Sequence, residues 1–88
     1  MIATFTGPIT KEEKSGWMCV VWPESVALLG TGKPTRVLAS ADGHEFEVTL
    51  MPMGGKHMVP LKLAVRELLK KGMGDQVEMC IKQKVEKA

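Results

Sequence analysis

The sequence predicts an α+β fold that is mainly β: a small, partly open barrel of about six short antiparallel strands, with one amphipathic helix and one short helix. Three stretches predict it. Asp42-Gly43 separates two runs of alternating polarity, and this dipeptide suits a two-residue hairpin turn because both of its central positions need positive φ. Residues 17–22, WMCVVW, are apolar at every position, as expected of a central strand covered on both faces. Residues 50–69, LMPMGGKHMVPLKLAVRELL, read as a strand end, a glycine turn, a short strand and a helix opened by Pro60. A parallel sheet is not expected, because strand and helix signals do not alternate.

Residues 2–10 are rich in β-branched side chains and include Phe5, so they read as a strand, with Pro8 marking an edge or a bulge. The polar group at residues 11–16 is a loop. Pro23 ends the strand at residues 17–22, and residues 23–30 read as two turns of helix, with proline in the first turn, Glu24 near the positive end of the dipole and Gly30 as terminator. Residues 31–34 are loop. In the hairpin at residues 35–51, counting outward from the turn sets Ala41 against His44, Ala39 against Phe46 and Val37 against Val48. Ser40, Glu45, Glu47 and Thr49 then share the opposite, polar face, where Leu38 is out of place.

After the turn at residues 52–56, His57, Met58 and Val59 form a short strand. Leu61, Ala64, Val65, Leu68 and Leu69 recur at helical spacing and form one stripe expected to cover the barrel. Lys62, Arg66 and Lys70 make a cationic ridge beside it, and Gly72 or Gly74 ends the helix. Val77, Met79 and Ile81 alternate with polar neighbours in a last strand, followed by a charged, frayed tail.

Composition bounds the function. Eighty-eight residues make one domain, residues 1–88, which buries roughly 60–65% of its extended-chain surface. Hydrophobic content of 44% with 25% charged residues argues against disorder. A net charge of +2 is too small to imply nucleic acid or a membrane surface. The charge is uneven: five cations against Glu67 give +4 between residues 56 and 71, leaving −2 on the rest of the chain. Cys19 and Cys80 lie far apart and no secretory pattern opens the chain, so a reduced, cytoplasmic setting is expected. No apolar run approaches the roughly 20 residues a membrane span needs.

The sharpest candidate site is a pocket for an anionic or polar ligand formed by Gly54, Gly55, Lys56, His57, Lys62 and Arg66. Glycines let backbone N–H groups turn towards an oxyanion, a helix start adds positive potential, and arginine offers a bidentate fork. The plainer reading is a hairpin turn beside a solvated cationic face. His57 as a general base is the enzymatic alternative, although no carboxylate or nucleophile pairs with it in sequence; His44, beside the hairpin turn, is expected on the surface. No catalytic residue, cofactor or metal is assigned, since the cysteines and histidines lack ligand spacing. Trp17 and Trp22, with Met18, Met51, Met53, Met58, Met73 and Met79, form either a pocket for an apolar ligand or, more simply, core filling. Leu63 and Leu38, apolar where polar is expected, motivate a homodimer or another protein partner.

Gly16-Trp17, Pro23, Leu29-Gly30, Gly32, Val37, Asp42-Gly43, Phe46, the block from Met51 through Pro52, Met53, Gly54, Gly55 and Lys56 to His57, Pro60-Leu61-Lys62, Val65-Arg66 and Gly74-Asp75-Gln76-Val77 resemble the bacterial family called domain of unknown function nineteen-oh-five, in order and over nearly the whole chain. The resemblance implies a double-split β-barrel, a cytoplasmic bacterial protein and no established activity. Relatives often continue into a second segment resembling bacteriocin-protection proteins, and no function of that segment is expected of residues 1–88. The fold is shared at a distance with dimeric antitoxins and transition-state regulators, which makes a DNA-binding regulator using Lys62, Arg66 and Lys70 the alternative to a non-enzymatic binding module. Fold alone does not decide between them.

Overall fold

The computed structural model describes residues 2–85. Its strands are β1 (Ala3–Lys11), β2 (Met18–Trp22), β3 (Thr35–Ala41), β4 (His44–Pro52), β5 (His57–Pro60) and β6 (Gln76–Lys84), with helices α1 (Ser25–Leu29) and α2 (Leu63–Leu69). They form a closed barrel in the order β1-β2-β5-β4-β3-β6, antiparallel throughout. Closure comes from the first and last strands, which pair from Ala3↔Ile81 to Pro8↔Gln76.

Two strands, β1 and β4, pass from one neighbour to another partway along their length. β1 pairs with β6 as far as Pro8 and with β2 from Ile9 to Lys11. β4 pairs with β3 as far as Leu50, then with β5 at Met51 and Pro52. The division in β1 falls directly after Pro8, whose missing N–H cannot continue a ladder. The barrel is therefore a double-split one.

The hairpin has the register that the Asp42-Gly43 turn dictates, with Ala41↔His44, Ala39↔Phe46 and Val37↔Val48. Asp42 has φ of 47° and Gly43 of 88°, the positive values this turn requires. Ser40 departs from expectation: it is buried, because β6 pairs along the other side of β3 and sets Cys80 against it. Leu38 is half-buried and stands where the β3–β6 register shifts. The core joins Ile9, Val20, Trp22, Val37, Leu50 and Ile81, and Phe5 stacks on Trp22 with ring centroids 5.4 Å apart and an interplanar angle of 4°.

The second strand is less enclosed than an all-apolar run suggests. Cys19, Val20 and Trp22 are buried, but Met18 and Val21 are half-buried and Trp17 lies before the strand, 49% exposed. Helix α2 departs further. Of the expected stripe, Leu61 is buried but precedes the helix, Val65 and Leu69 pack against the core, and Ala64 and Leu68 face solvent. The helix has only seven residues, none fully buried, and ends at Lys70 (φ 55°) rather than at Gly72 or Gly74. A left-handed lysine costs more than glycine there. Helix α1 is shorter than the expected two turns, five residues with Glu24 as its N-cap and Pro23 outside it, but it ends as expected at Gly30 (φ 74°), whose N–H donates to the Val26 carbonyl. The last strand runs on to Lys84 where a frayed tail was expected, and the remainder of that tail, residues 86–88, lies outside the described residues.

Asp42 does more than turn the chain. One carboxylate oxygen meets Lys71 Nζ at 2.6 Å and the other accepts the Glu78 N–H at 2.9 Å, so the hairpin tip is tied to β6. The hydrogen bond from Lys71, then that from the Glu78 backbone, holds this carboxyl below the usual aspartate value. A depressed folded value contributes stability that is fully present above the ordinary aspartate pKa of about 3.9 and is lost as pH falls from there through the folded value. Urea unfolding should show Asp42→Asn less stable than wild type at pH 7 by about 0.5–1 kcal/mol. That gap should narrow as pH falls below about 4 and close only once Asp42 is protonated in the folded protein; a gap independent of pH would contradict the assignment.

Candidate functional site

His57 follows Gly54 and Gly55 in sequence but points into the barrel wall. It is fully buried, opposite Trp22 in the β2–β5 pairing. Its Nδ1 lies 2.7 Å from Ser25 Oγ and its Nε2 2.9 Å from the Lys33 carbonyl oxygen. In the neutral ring that carbonyl, an acceptor only, requires the proton on Nε2, which leaves Nδ1 to accept from the Ser25 hydroxyl. Histidine and serine in hydrogen-bond contact have the composition of a nucleophile–base pair. Here both side chains are buried and both ring nitrogens are occupied, so the arrangement pins α1 and the loop at Lys33 to β5. Ser25, the first residue of α1, is thereby drawn inwards.

The diglycine turn accounts for its own glycines. Gly54 has φ of 56° and Gly55 of 84°, and Met53 and Lys56 exchange backbone hydrogen bonds across them at 2.6 and 3.3 Å. A Cβ at either glycine would meet nothing within 4 Å, so the requirement is conformational rather than steric. Gly54 borders a cavity of about 570 Å³ that it shares with Pro52, Met53, Met58 and the loop at residues 11–14. That loop brings both Lys11 and Lys14 and both Glu12 and Glu13, so the cavity presents mixed charge.

Lys62 and Arg66 border a different cavity of about 320 Å³, between residues 16–18 and residues 60–63. Its two walls are joined, since Cys19 pairs with Pro60 and the Leu61 N–H donates to the Met18 carbonyl at 2.9 Å. Trp17 is held from both sides: its carbonyl accepts from the Glu12 N–H at 2.8 Å and its N–H donates to Ser15 Oγ at 3.2 Å. The indole is left half in solvent as one wall of the cavity, and Leu63, 59% exposed, stands in the other.

Arg66 is half-buried and donates from Nε to the Leu61 carbonyl at 3.2 Å. That bond fixes the plane of the guanidinium and leaves its two terminal nitrogens without a partner among the described residues. Among those residues the ion pairs are Arg36–Glu47, Lys71–Asp42 and Lys82–Glu45, so neither Lys62 nor Arg66 is neutralised by a carboxylate. Of the six site residues expected from sequence, the structure brings these two together. It sets Gly54 at the second cavity, turns His57 into the wall, and leaves Gly55 and Lys56 at neither cavity. Trp17, Met18, Pro60, Leu61 and Leu63 were not in that set. The signal for Trp17 was an apolar run starting directly after a glycine, one residue before the strand begins.

Cys19 is buried, which raises its thiol pKa, and Cys80 is half-buried beside Thr4. His44 is exposed. No group of histidine, cysteine or acidic side chains suited to a metal ion occurs among the described residues, and none of their helices is long and apolar enough to cross a membrane. In comparison with known proteins, the family described as Domain of unknown function (DUF1905) matches residues 5–81. No curated protein matches the chain.

Proposed function

The chain belongs to the DUF1905 family, and from that premise we propose that it is a small binding module that captures an anionic ligand at Lys62 and Arg66. One observation carries this reading. Arg66 is oriented by the Leu61 carbonyl, its terminal nitrogens have no partner among the described residues, and it borders a cavity whose other walls are largely apolar. An arginine kept only for solubility does not need a fixed plane, whereas one that receives a carboxylate or phosphate edge benefits from it, because less freedom is lost on binding.

Thermal-shift titration with acetate, sulfate, phosphate, nucleotides and larger carboxylates tests the reading. A binder at a hundredfold excess over its Kd stabilises the fold by about 2.7 kcal/mol. Arg66→Ala is expected to weaken that binder at least tenfold, and Arg66→Lys, which keeps the charge but not the fork, to weaken it less. A panel in which every compound shifts wild type and Arg66→Ala equally would remove the proposal.

A further inference from the structure

Resting on that reading, we infer that the ligand is an amphiphilic carboxylate: a single carboxylate, bound by Arg66 and Lys62, on a small flat or branched apolar body that lies between Trp17 and Leu63. The charge term comes from two cations that no described carboxylate neutralises. Arg66 presents two parallel N–H donors at the spacing of the two oxygens of one carboxylate. The rest of the lining supplies apolar surface from Met18, Pro60, Leu61 and Leu63 and the face of Trp17. A bare inorganic anion would leave that surface wet. A dianion such as a phosphate monoester gains from several converging donors, and the charged side chains here are only Lys62 and Arg66.

Size and construction favour a small molecule. A volume of about 320 Å³ lies at the lower end of ligand sites, which run from roughly 300 to 1,000 Å³. The two walls are hydrogen-bonded to each other through Met18 and Leu61, and the Trp17 backbone is held by the Glu12 N–H and the Ser15 hydroxyl, so the backbone frame of both walls exists before the ligand arrives. An indole half in solvent and an adjacent leucine 59% exposed leave apolar area to be covered, and a carboxylate on an apolar body covers it while matching the charge.

Isothermal titration of the full chain with 3-phenylpropionate, 3-phenylpropan-1-ol, phenyl phosphate and acetate tests the inference, with tryptophan fluorescence read in parallel. The chain has two tryptophans, and Trp22 is buried, so Trp17 is the one the ligand meets. 3-Phenylpropionate should bind at least tenfold more tightly than acetate, the alcohol or phenyl phosphate and should perturb the fluorescence. Trp17→Ala should weaken 3-phenylpropionate about tenfold and leave acetate unchanged, and in Trp17→Phe the fluorescence change should vanish while binding persists. Acetate binding as tightly as 3-phenylpropionate, with Arg66 required for both, overturns the amphiphilic ligand and spares the anion site. The alcohol binding as tightly as the acid, or phenyl phosphate more tightly, overturns the carboxylate. If none of the four binds and no other anion shifts the fold through Arg66, both readings fall.

Discussion

Replacing His57 with alanine is expected to lower stability by about 3–5 kcal/mol, from the cavity left by a buried ring and from two polar groups deprived of their partner. The Ser25 hydroxyl and the Lys33 carbonyl both lose their bond to it, and the ring faces Trp22 across β2–β5. For a domain of this length such a loss lowers Tm by more than about 10 °C. Total stability of small domains is only about 5–15 kcal/mol, so the variant stands near the limit of folding. Urea denaturation at equilibrium, with the slope m compared against wild type, measures it. Ser25→Ala, which leaves the ring in place, should cost only about 1–2 kcal/mol. A His57→Ala loss under about 1 kcal/mol would mean that the ring is not the pin the geometry describes.

Trp22→Ala should cost about 3–5 kcal/mol, the range of buried aromatic truncations. The indole is 2% exposed and lies flat against Phe5, so its removal opens the barrel between β1 and β2 as well as deleting the stack. Trp22→Phe keeps an aromatic plane and should lose only about 1–2 kcal/mol. Because Trp22 and His57 are direct cross-strand partners, their alanine variants should not be additive, and a double-mutant cycle should show coupling of about 0.5 kcal/mol or more. Additive losses would show that the two side chains do not share one packing unit.

Much of the barrel was legible because its signals are local. A two-residue turn fixes seven cross-strand pairs of the hairpin, since any slip by one residue would turn Val37, Ala39 and Val48 out of the core. Gly30 ends α1 for an equally local reason, its positive φ. The misreadings concern the outside of the barrel. Periodicity gives α2 an apolar stripe but cannot say how much of that stripe a closed ring leaves room to cover, and Ala64 and Leu68 remain in solvent. Ser40 looked outward because alternation knows only one neighbour of β3, and the second is β6, far along the chain.

The candidate site shows the same limit. Lys62 and Arg66 are four residues apart on one short segment, so sequence could join them. The diglycine turn is as near in sequence but borders another cavity, and the wall that Lys62 and Arg66 do share, Trp17, comes from over forty positions upstream through the β2–β5 pairing. A histidine beside two glycines and a lysine reads as chemistry. Its partners at Ser25 and Lys33 are long-range, so the hydrogen bonds that hold the ring in the wall could not be read from its sequence neighbours.

Because among the described residues β6 supplies the only neighbour that β1 has along residues 3–8, and the second neighbour of β3, a nascent chain lacking residues 76–84 has two strands with unfilled backbone partners. The pairs that close the barrel join β1 to β6, strands far apart in sequence, a loop whose entropy must be lost before any of them forms. Folding during synthesis therefore waits for the final strand, and the interval before β6 emerges is the period in which the chain most needs protection from pairing with its neighbours.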